Sequence, residues 1–203
     1  MAGLFFSYYN KDMKTLDLIH THLFPTVVAH CVNTDLALRL LPYAHSVIKT
    51  HNNENNGVNY KSTYHVRLPS SILQNEFESF CSDVAYAYWE SMGVEDKVTG
   101  ISTFYSVMNK GSSHKIHAHP NTKLAGVYYL NAPLDGAKIR FYDPRPHTSF
   151  IHYNYVSLNT LLYSTYDIEP YSGLFLIFPP WLLHEVLKNN SDNKRTSAVF
   201  NIL

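Results

Sequence analysis

The first half of the chain has hydrophobic positions at helical spacing. Steps of three and four residues, which place side chains on one face of an α-helix, link Leu73, Phe77, Phe80, Val84 and Tyr88. Ser70 or Ser71 can cap the start of this helix, and Gly93 can end it. Such a stripe is typical of a helix packed against a sheet.

An earlier segment, residues 34–48, is also predicted to be helical, with Asn33 or Thr34 as its cap. Pro42 lies inside this segment. Because proline removes a backbone donor and clashes with the preceding turn, we expect a kink here or two shorter helices. The polar stretch 51–57 that follows is predicted to be an exposed loop.

From Gly100 the pattern changes to short segments rich in β-branched and aromatic residues, which are predicted to be strands. They are Ile101–Met108, Leu124–Leu130, Lys138–Tyr142, Gly173–Phe178 and Thr196–Leu203. Several strands separated by turn residues, without helices between them, predict an antiparallel sandwich or jelly roll. We therefore expect a mainly β fold with flanking helices, as one domain over 1–203: a helical or mixed part over 1–98, and a jelly-roll core with the site over 99–203.

Composition excludes several classes of protein. The chain has 203 residues, 45% of them hydrophobic, which is typical of a packed globular protein. Its 16 basic residues balance 16 acidic ones, so charge indicates neither a nucleic-acid nor a membrane partner. Cys31 and Cys81 form no CxxC pair, the first twenty residues do not resemble a signal peptide, and no apolar run is long enough to span a membrane. These features predict a cytoplasmic protein.

Histidines form the main candidate site. His114, His117 and His119 fall within six residues, and His184 follows the sequence Phe-Pro-Pro-Trp-Leu-Leu, whose prolines and tryptophan are expected to fix its approach. Side chains two apart on a strand share a face, so His117 and His119 are predicted to point together and His114 away from them. Three neutral imidazoles can hold iron, zinc, copper or nickel. A single histidine is more often structural, and the prediction depends on the cluster.

Arg195 and Ser197 form a second candidate feature at the start of the last strand. They are also two residues apart, so guanidinium and hydroxyl can grip one carboxylate together. A metal beside a carboxylate receptor is what an oxygenase that uses a 2-oxo acid requires.

At this point the sequence resembles a known family. The segments HAHPNTKLAGVYYLNAP (117–133), IRFYDP (139–144), GLFLIFPPWLLHEV (173–186) and RTSAVFN (195–201) are similar to the 2-oxoglutarate- and Fe(II)-dependent oxygenases of bacteria and phages, which are related to prolyl 4-hydroxylases. The resemblance covers most of residues 23–203 and is strongest after residue 114. It implies a double-stranded β-helix with Fe(II) at its mouth and 2-oxoglutarate as co-substrate.

The resemblance also implies roles for individual residues. The usual iron ligands of the superfamily, His-x-Asp/Glu and a distal histidine, correspond here to His117, His119 and His184, so His119 stands where a carboxylate is usual. Iron would then be held by three histidines, or by two with water or an outside carboxylate; Asp143 and Glu185 are possible sources of that carboxylate.

The co-substrate has its own implied residues. Arg195 and Ser197 would bind the distal carboxylate of 2-oxoglutarate. Tyr128 or Tyr129 would add a hydroxyl, and only one of them can face inward because strand side chains alternate. His114 is a candidate for supporting the ligands or contacting the substrate.

The expected function is hydroxylation of a peptidyl or small-molecule substrate by dioxygen, Fe(II) and 2-oxoglutarate. Two alternatives stay open. One is a cupin-like three-histidine metalloprotein that does not use 2-oxoglutarate. The other is a non-catalytic jelly-roll structural or binding protein with a vestigial metal site.

Overall fold

A computed structural model of the chain describes residues 25–51, 60–145 and 164–203. Residues 52–57 of the predicted polar loop and the first twenty residues lie outside them. The described part forms two helices, α1 (Thr34–His51) and α2 (Ile72–Ser91). Its strands are β1 (Ala29–Val32), β2 (Tyr60–Ser62), β3 (Ile101–Met108), β4 (His114–His117), β5 (Leu124–Asn131), β6 (Ile139–Tyr142), β7 (Thr165–Ile168), β8 (Leu174–Phe178), β9 (His184–Val186) and β10 (Arg195–Ile202).

The strands form two antiparallel sheets. The larger sheet has the order β1-β8-β5-β10-β3-β2, and the smaller sheet has the order β4-β9-β6-β7. Neighbours in each sheet are mostly distant in sequence, as expected for a jelly roll. The predicted mainly β fold with flanking helices is therefore confirmed. β1 and β2 come from the first 98 residues and complete the two edges of the larger sheet.

Both helices begin where the sequence predicts. The Asn33 side chain accepts a hydrogen bond from the backbone of Leu36 (3.0 Å), and the Ser71 hydroxyl accepts one from the backbone of Gln74 (3.0 Å). These bonds satisfy amides that lack a partner in the first turn. The predicted division of the first helix at Pro42 is wrong, because α1 runs through this residue as one 18-residue helix. Its buried face, packed on the sheet, stabilises the helix despite the proline.

Alternation along the strands divides the core into two layers. On β10, Ala198, Phe200 and Ile202 pack with the helices in an outer cluster. On β5, Ala125, Val127 and Tyr129 point the other way, toward Ile139 and Phe141 of the smaller sheet. The histidines lie on the side of the second cluster, between the two sheets. Of the two helices in the described ranges, neither combines the length and apolar composition needed to cross a membrane.

Candidate metal centre

Three histidines converge between the sheets. One nitrogen each from His117, His119 and His184 lies within 4.8 Å of the other two, and among the described residues these three alone form such a group. The Nε2 atoms of His119 and His184 are 3.3 Å apart. Two nitrogens bound to one ion at about 2.0–2.1 Å are roughly 2.9–3.4 Å apart. The spacing therefore fits coordination of a shared ion.

Strand alternation does not explain why His119 lies beside His117 and His184. β4 ends at His117, and His119 lies beyond it, so the expectation that both share one face of a strand is wrong. The backbone amide of His119 instead donates to the carbonyl of Pro180 (2.8 Å), in the turn before His184. His117 is paired directly with His184 in the β4–β9 ladder. Two adjacent strands and one turn thus bring the imidazoles together.

The turn that carries His184 is set by its prolines. The backbone amide of Leu182 donates to the carbonyl of Pro179 (3.1 Å), which closes the turn. Trp181 was predicted to help fix this approach, but its side chain points outward and is 55% exposed. The prolines and the turn hydrogen bond position His184 without it.

The Nδ1 atoms of all three rings face oxygen atoms. His117 Nδ1 lies 2.7 Å from the carbonyl of Lys115, His184 Nδ1 lies 2.8 Å from that of Leu182, and His119 Nδ1 lies 2.6 Å from Oδ1 of Asn201. Because these oxygens only accept, each Nδ1 carries the proton and donates it. Each Nε2 is left with a free lone pair, which is the state that binds a metal.

His184 is buried among aromatic side chains. Its ring lies 4.8 Å from that of Phe178 and 5.8 Å from that of Phe141, measured between centroids. Burial lowers the pKa of His184 to about 3, and it also lowers the pKa values of His117 and His119. The imidazoles are therefore neutral at physiological pH, as metal ligands must be.

His114 lies beside the group, contrary to the expectation that it points away. Its ring stacks on that of His117 at a centroid distance of 4.3 Å. A register shift between His114 and His117, relative to β9, breaks the regular alternation. Burial is the main cause that lowers the pKa of His114 to about 4.

Neither candidate carboxylate belongs to the histidine group. Asp143 is bound by the guanidinium of Arg145 (2.6 Å), and Glu185 accepts a hydrogen bond from the hydroxyl of Tyr142 (2.6 Å). Glu185 follows His184 on a strand, so its side chain points to the opposite face of the sheet. Among the described residues, histidine nitrogen is therefore the only ligand type in the group.

Arg195 is buried beside this centre without a carboxylate partner among the described residues. The side chain is 2% exposed; its Nη1 donates to Sδ of Met108 (3.2 Å), and its Nε has no partner. The guanidinium carbon lies 4.7 Å from the ring centroid of Tyr129, whose buried hydroxyl also has no partner. Buried unpaired charge is costly. Two unsatisfied donors at one place indicate an anion-binding pocket.

Ser197, Tyr128 and Tyr129 occupy different positions relative to this pocket. The Ser197 hydroxyl is buried and lies 3.0 Å from that of Ser106 on β3. Tyr129 faces inward with Arg195. Tyr128 faces the helices, where its hydroxyl donates to the carbonyl of Asn33 and its ring stacks on Phe77. The alternation predicted for the tyrosine pair is observed, with Tyr129 on the inner face.

Sequence reasoning missed three polar neighbours of the centre. Asn201 contacts His119. Asn201 lies six residues after Arg195, on the same face of the strand, and this spacing could have identified it from the sequence. Ser106 contacts Ser197. Tyr60, on β2, lies beside His114 at a ring-centroid distance of 5.7 Å, and burial raises its pKa. Tyr60 and Ser106 come from strands distant in sequence, so no local pattern pointed to them.

These residues fit an iron ion and a bound 2-oxo acid. The imidazole lone pairs converge at a spacing suited to one ion, and the unpartnered donors of Arg195 and Tyr129 are suited to a carboxylate.

Comparison with known families agrees. Residues 102–201 match the family described as "Putative 2OG-Fe(II) oxygenase". This part of the chain, which contains the three histidines and Arg195, is similar to that family. The match indicates an oxidoreductase whose metal and co-substrate are Fe(II) and 2-oxoglutarate. A search of curated proteins finds no relative.

Solved structures show the same fold at low sequence identity. A prolyl-4-hydroxylase from Pseudomonas putida has a TM-score of 0.63 at 13% identity, over 87% of this chain and 92% of its own. A prolyl hydroxylase from Trichoplax adhaerens, in complex with a peptide fragment of hypoxia inducible factor, has a TM-score of 0.62 at 13% identity, over 87% and 83%. The α-ketoglutarate-dependent epimerase SnoN from nogalamycin biosynthesis has a TM-score of 0.59 at 11% identity, over 87% and 79%.

Proposed function

We propose that this oxygenase hydroxylates a C–H bond of a peptidyl or small-molecule substrate, with Fe(II) held by His117, His119 and His184. The observation that carries the proposal is the convergence of these three neutral imidazoles beside the buried, unpartnered donors of Arg195 and Tyr129. His119 takes the place in which a carboxylate is usual, so the ligand set is uncharged.

The co-substrate pocket is proposed to consist of Arg195, Ser197 and Tyr129. A guanidinium and two hydroxyls supply several donors to the distal carboxylate of 2-oxoglutarate. The supporting observation is that Arg195 lacks an ion pair within the described ranges although it is 2% exposed. Tyr128 is not part of this proposal, because its hydroxyl is bonded on the helix side of the sheet.

When bound, Fe(II) and 2-oxoglutarate supply the oxidising chemistry; the protein residues bind, orient and exclude water. Phe141 and Phe178 shield one side of His184 from solvent. The carbonyls of Lys115 and Leu182 hold the protons of His117 and His184 at Nδ1, so each Nε2 stays available to the metal. Arg195 would bind the distal carboxylate of the co-substrate and so orient it.

The proposed substrate is a peptidyl side chain or a small molecule. The described neighbours include a prolyl hydroxylase in complex with a peptide fragment and an enzyme of nogalamycin biosynthesis. Both classes of substrate therefore remain part of the proposal. We propose a cytoplasmic location for this oxygenase, because its two cysteines are free and do not form the pattern typical of secreted proteins.

Iron content and succinate release together test the proposal. A 2-oxoglutarate oxygenase is expected to bind one Fe(II) per chain and to release succinate when given 2-oxoglutarate and dioxygen. A cupin-like metalloprotein would bind metal without releasing succinate, and a vestigial site would do neither. Bound iron without succinate, across a panel of peptide and small-molecule substrates and in their absence, would contradict the proposal.

A further inference from the structure

We propose that Asn201 is the positioning residue that makes His119 a metal ligand, by holding the proton of its ring at Nδ1. The inference rests on the proposed function, because it requires the three histidines to bind metal. It concerns a side chain at the far end of β10, which faces Nδ1 of His119, whereas Nε2 of that ring faces His184.

The three imidazoles differ in what fixes their proton. His117 and His184 face backbone carbonyls, at 2.7 and 2.8 Å. A carbonyl can only accept, so the proton of each ring is held at Nδ1 by the backbone alone. His119 has no such carbonyl at Nδ1 and faces the side chain of Asn201 at 2.6 Å. Its protonation pattern is therefore the one that a point mutation can change.

A side-chain amide offers both an acceptor and donors, so its orientation matters. With Oδ1 toward the ring, Nδ1 of His119 donates to it and Nε2 is free. With the amide nitrogen toward the ring, Nδ1 would accept, and the proton would move to Nε2. It would then point at Nε2 of His184, 3.3 Å away, and occupy the space between the two nitrogens that a shared ion requires. The orientation in this structure is the one that favours metal.

The position of Asn201 is itself well determined. Asn201 pairs with Ser102 of β3 and with Ala125 of β5, in the regular part of both ladders. The backbone amide of His119 is tied to the carbonyl of Pro180, and the carbonyl of His119 accepts from the hydroxyl of Thr122 (3.0 Å). Because His119 lies outside β4, its ring depends on such contacts rather than on a strand. Asn201 supplies a hydrogen bond to Nδ1 of the ring itself.

The test measures Zn(II) affinity, by competition with a chromophoric chelator, for wild type, Asn201→Leu and Asn201→Asp. Leucine keeps the size of the side chain and removes the acceptor, so affinity should fall about 10- to 100-fold, which is typical for loss of a hydrogen bond to a metal-bound histidine. Aspartate keeps an acceptor, so it should bind Zn(II) at least as tightly as wild type. Asn131→Leu is the matched control, because Asn131 lies on the adjacent strand β5 and bonds the backbone carbonyl of Lys194 instead of a histidine ring; it should bind as wild type does.

A second readout does not depend on affinity. In Zn(II)-loaded protein labelled with ¹⁵N at histidine, the Nδ1 proton of His119 should be protected from solvent exchange in wild type and Asn201→Asp. It should exchange rapidly in Asn201→Leu, while the Nδ1 protons of His117 and His184 are unchanged. A side chain that only packs would not produce this selective loss.

Three outcomes would overturn the inference. Asn201→Leu could bind Zn(II) within about twofold of wild type, Asn201→Asp could be weakened as much as Asn201→Leu, or the His119 proton could be equally protected in all three proteins. The last two outcomes assign Asn201 a packing role. If wild type itself bound no Zn(II), the proposed metal site would fail together with the inference; binding without an effect of Asn201 would overturn the inference alone.

Discussion

The two faces of strand β10 differ in how completely their polar groups are satisfied. On the outer face, Ala198, Phe200 and Ile202 are fully buried against the helices. On the inner face, Arg195 is as deeply buried but has a donor without a partner. One strand therefore serves stability on one side and, in the proposed function, co-substrate binding on the other. Because unsatisfied buried donors destabilise a fold, their place in the structure identifies the surface that a ligand completes.

This difference predicts that substitutions at the proposed site between the sheets remove binding of iron or 2-oxoglutarate and leave the fold intact. The largest effect is expected for His117→Ala and His184→Ala, each of which should abolish stoichiometric Fe(II) binding because it removes a ligand. Metal analysis after anaerobic loading measures this, and circular dichroism checks the fold. His30→Ala, at an exposed position of β1, is the control.

His114→Ala, in the same metal-binding experiment, tests which histidines are ligands. The ring of His114 stacks on that of His117 but is outside the ligating group, so its loss should weaken iron binding far less. Loss of metal from His114→Ala with retention by His117→Ala would show that the ligand assignment is wrong.

The next effect in size concerns the co-substrate. Removing one partner of a buried, charge-assisted pair costs about 2–5 kcal/mol. Arg195→Ala should therefore weaken 2-oxoglutarate binding roughly thirtyfold to several-thousandfold, at about 1.4 kcal/mol per factor of ten. Iron binding should stay nearly intact, because the arginine is not a ligand. Arg195→Lys should recover only part of the loss, since an ammonium cannot form the planar fork. Titration of the iron-loaded proteins with 2-oxoglutarate measures the affinities. Equal affinity of Arg195→Ala and wild type would show that Arg195 does not bind the co-substrate.

The outer face should respond in the opposite way, through stability. A Cβ on Gly126 would lie 2.1 Å from Cζ of Phe200 and 2.3 Å from the carbonyl oxygen of Leu176. Gly126→Ala should lower the free energy of unfolding by about 1–3 kcal/mol, because the sheet or Phe200 must shift. Denaturant unfolding measures the change. Gly100→Ala, where the nearest atom is 3.4 Å away, is the control, and equal stability of the two variants would contradict the predicted overlap.

The smallest effect is expected for His119→Asp, which restores the usual pair of histidines with one carboxylate. This variant should still bind Fe(II), since the carboxylate adds a negative charge next to the ion. Metal analysis of the folded protein tests it. A folded His119→Asp protein without iron would show that His119 has another role.

The long elements could be predicted from the sequence, whereas of the short strands only β6 was among those predicted. Helix α2 and strands β3, β5, β8 and β10 are long enough for periodicity to reveal them. The three- and four-residue strands β4 and β9 carry His117 and His184, and strands of this length leave too few positions for a pattern. Of the two expectations at Pro42, the division into two shorter helices was wrong, because the local cost of the proline is smaller than the gain from packing α1 on the sheet.

The residues of the candidate site were easier to identify than their geometry. His117, His119 and His184 were singled out by type and spacing, but the reason given for their convergence was wrong. A bulge in β4 and the turn at Pro180 replace the expected alternation. Contacts such as that of Asn201 with His119 join positions 82 residues apart, and only the register of the sheets reveals them.

Anaerobic titration of Fe(II)-loaded protein with 2-oxoglutarate tests the central claim most directly. A 2-oxo acid that chelates iron produces a weak visible charge-transfer band. We predict that this band appears on addition of 2-oxoglutarate to wild type, saturates at one equivalent, and does not form with His117→Ala. Wild-type protein that binds iron stoichiometrically but develops no band at saturating 2-oxoglutarate would contradict the account.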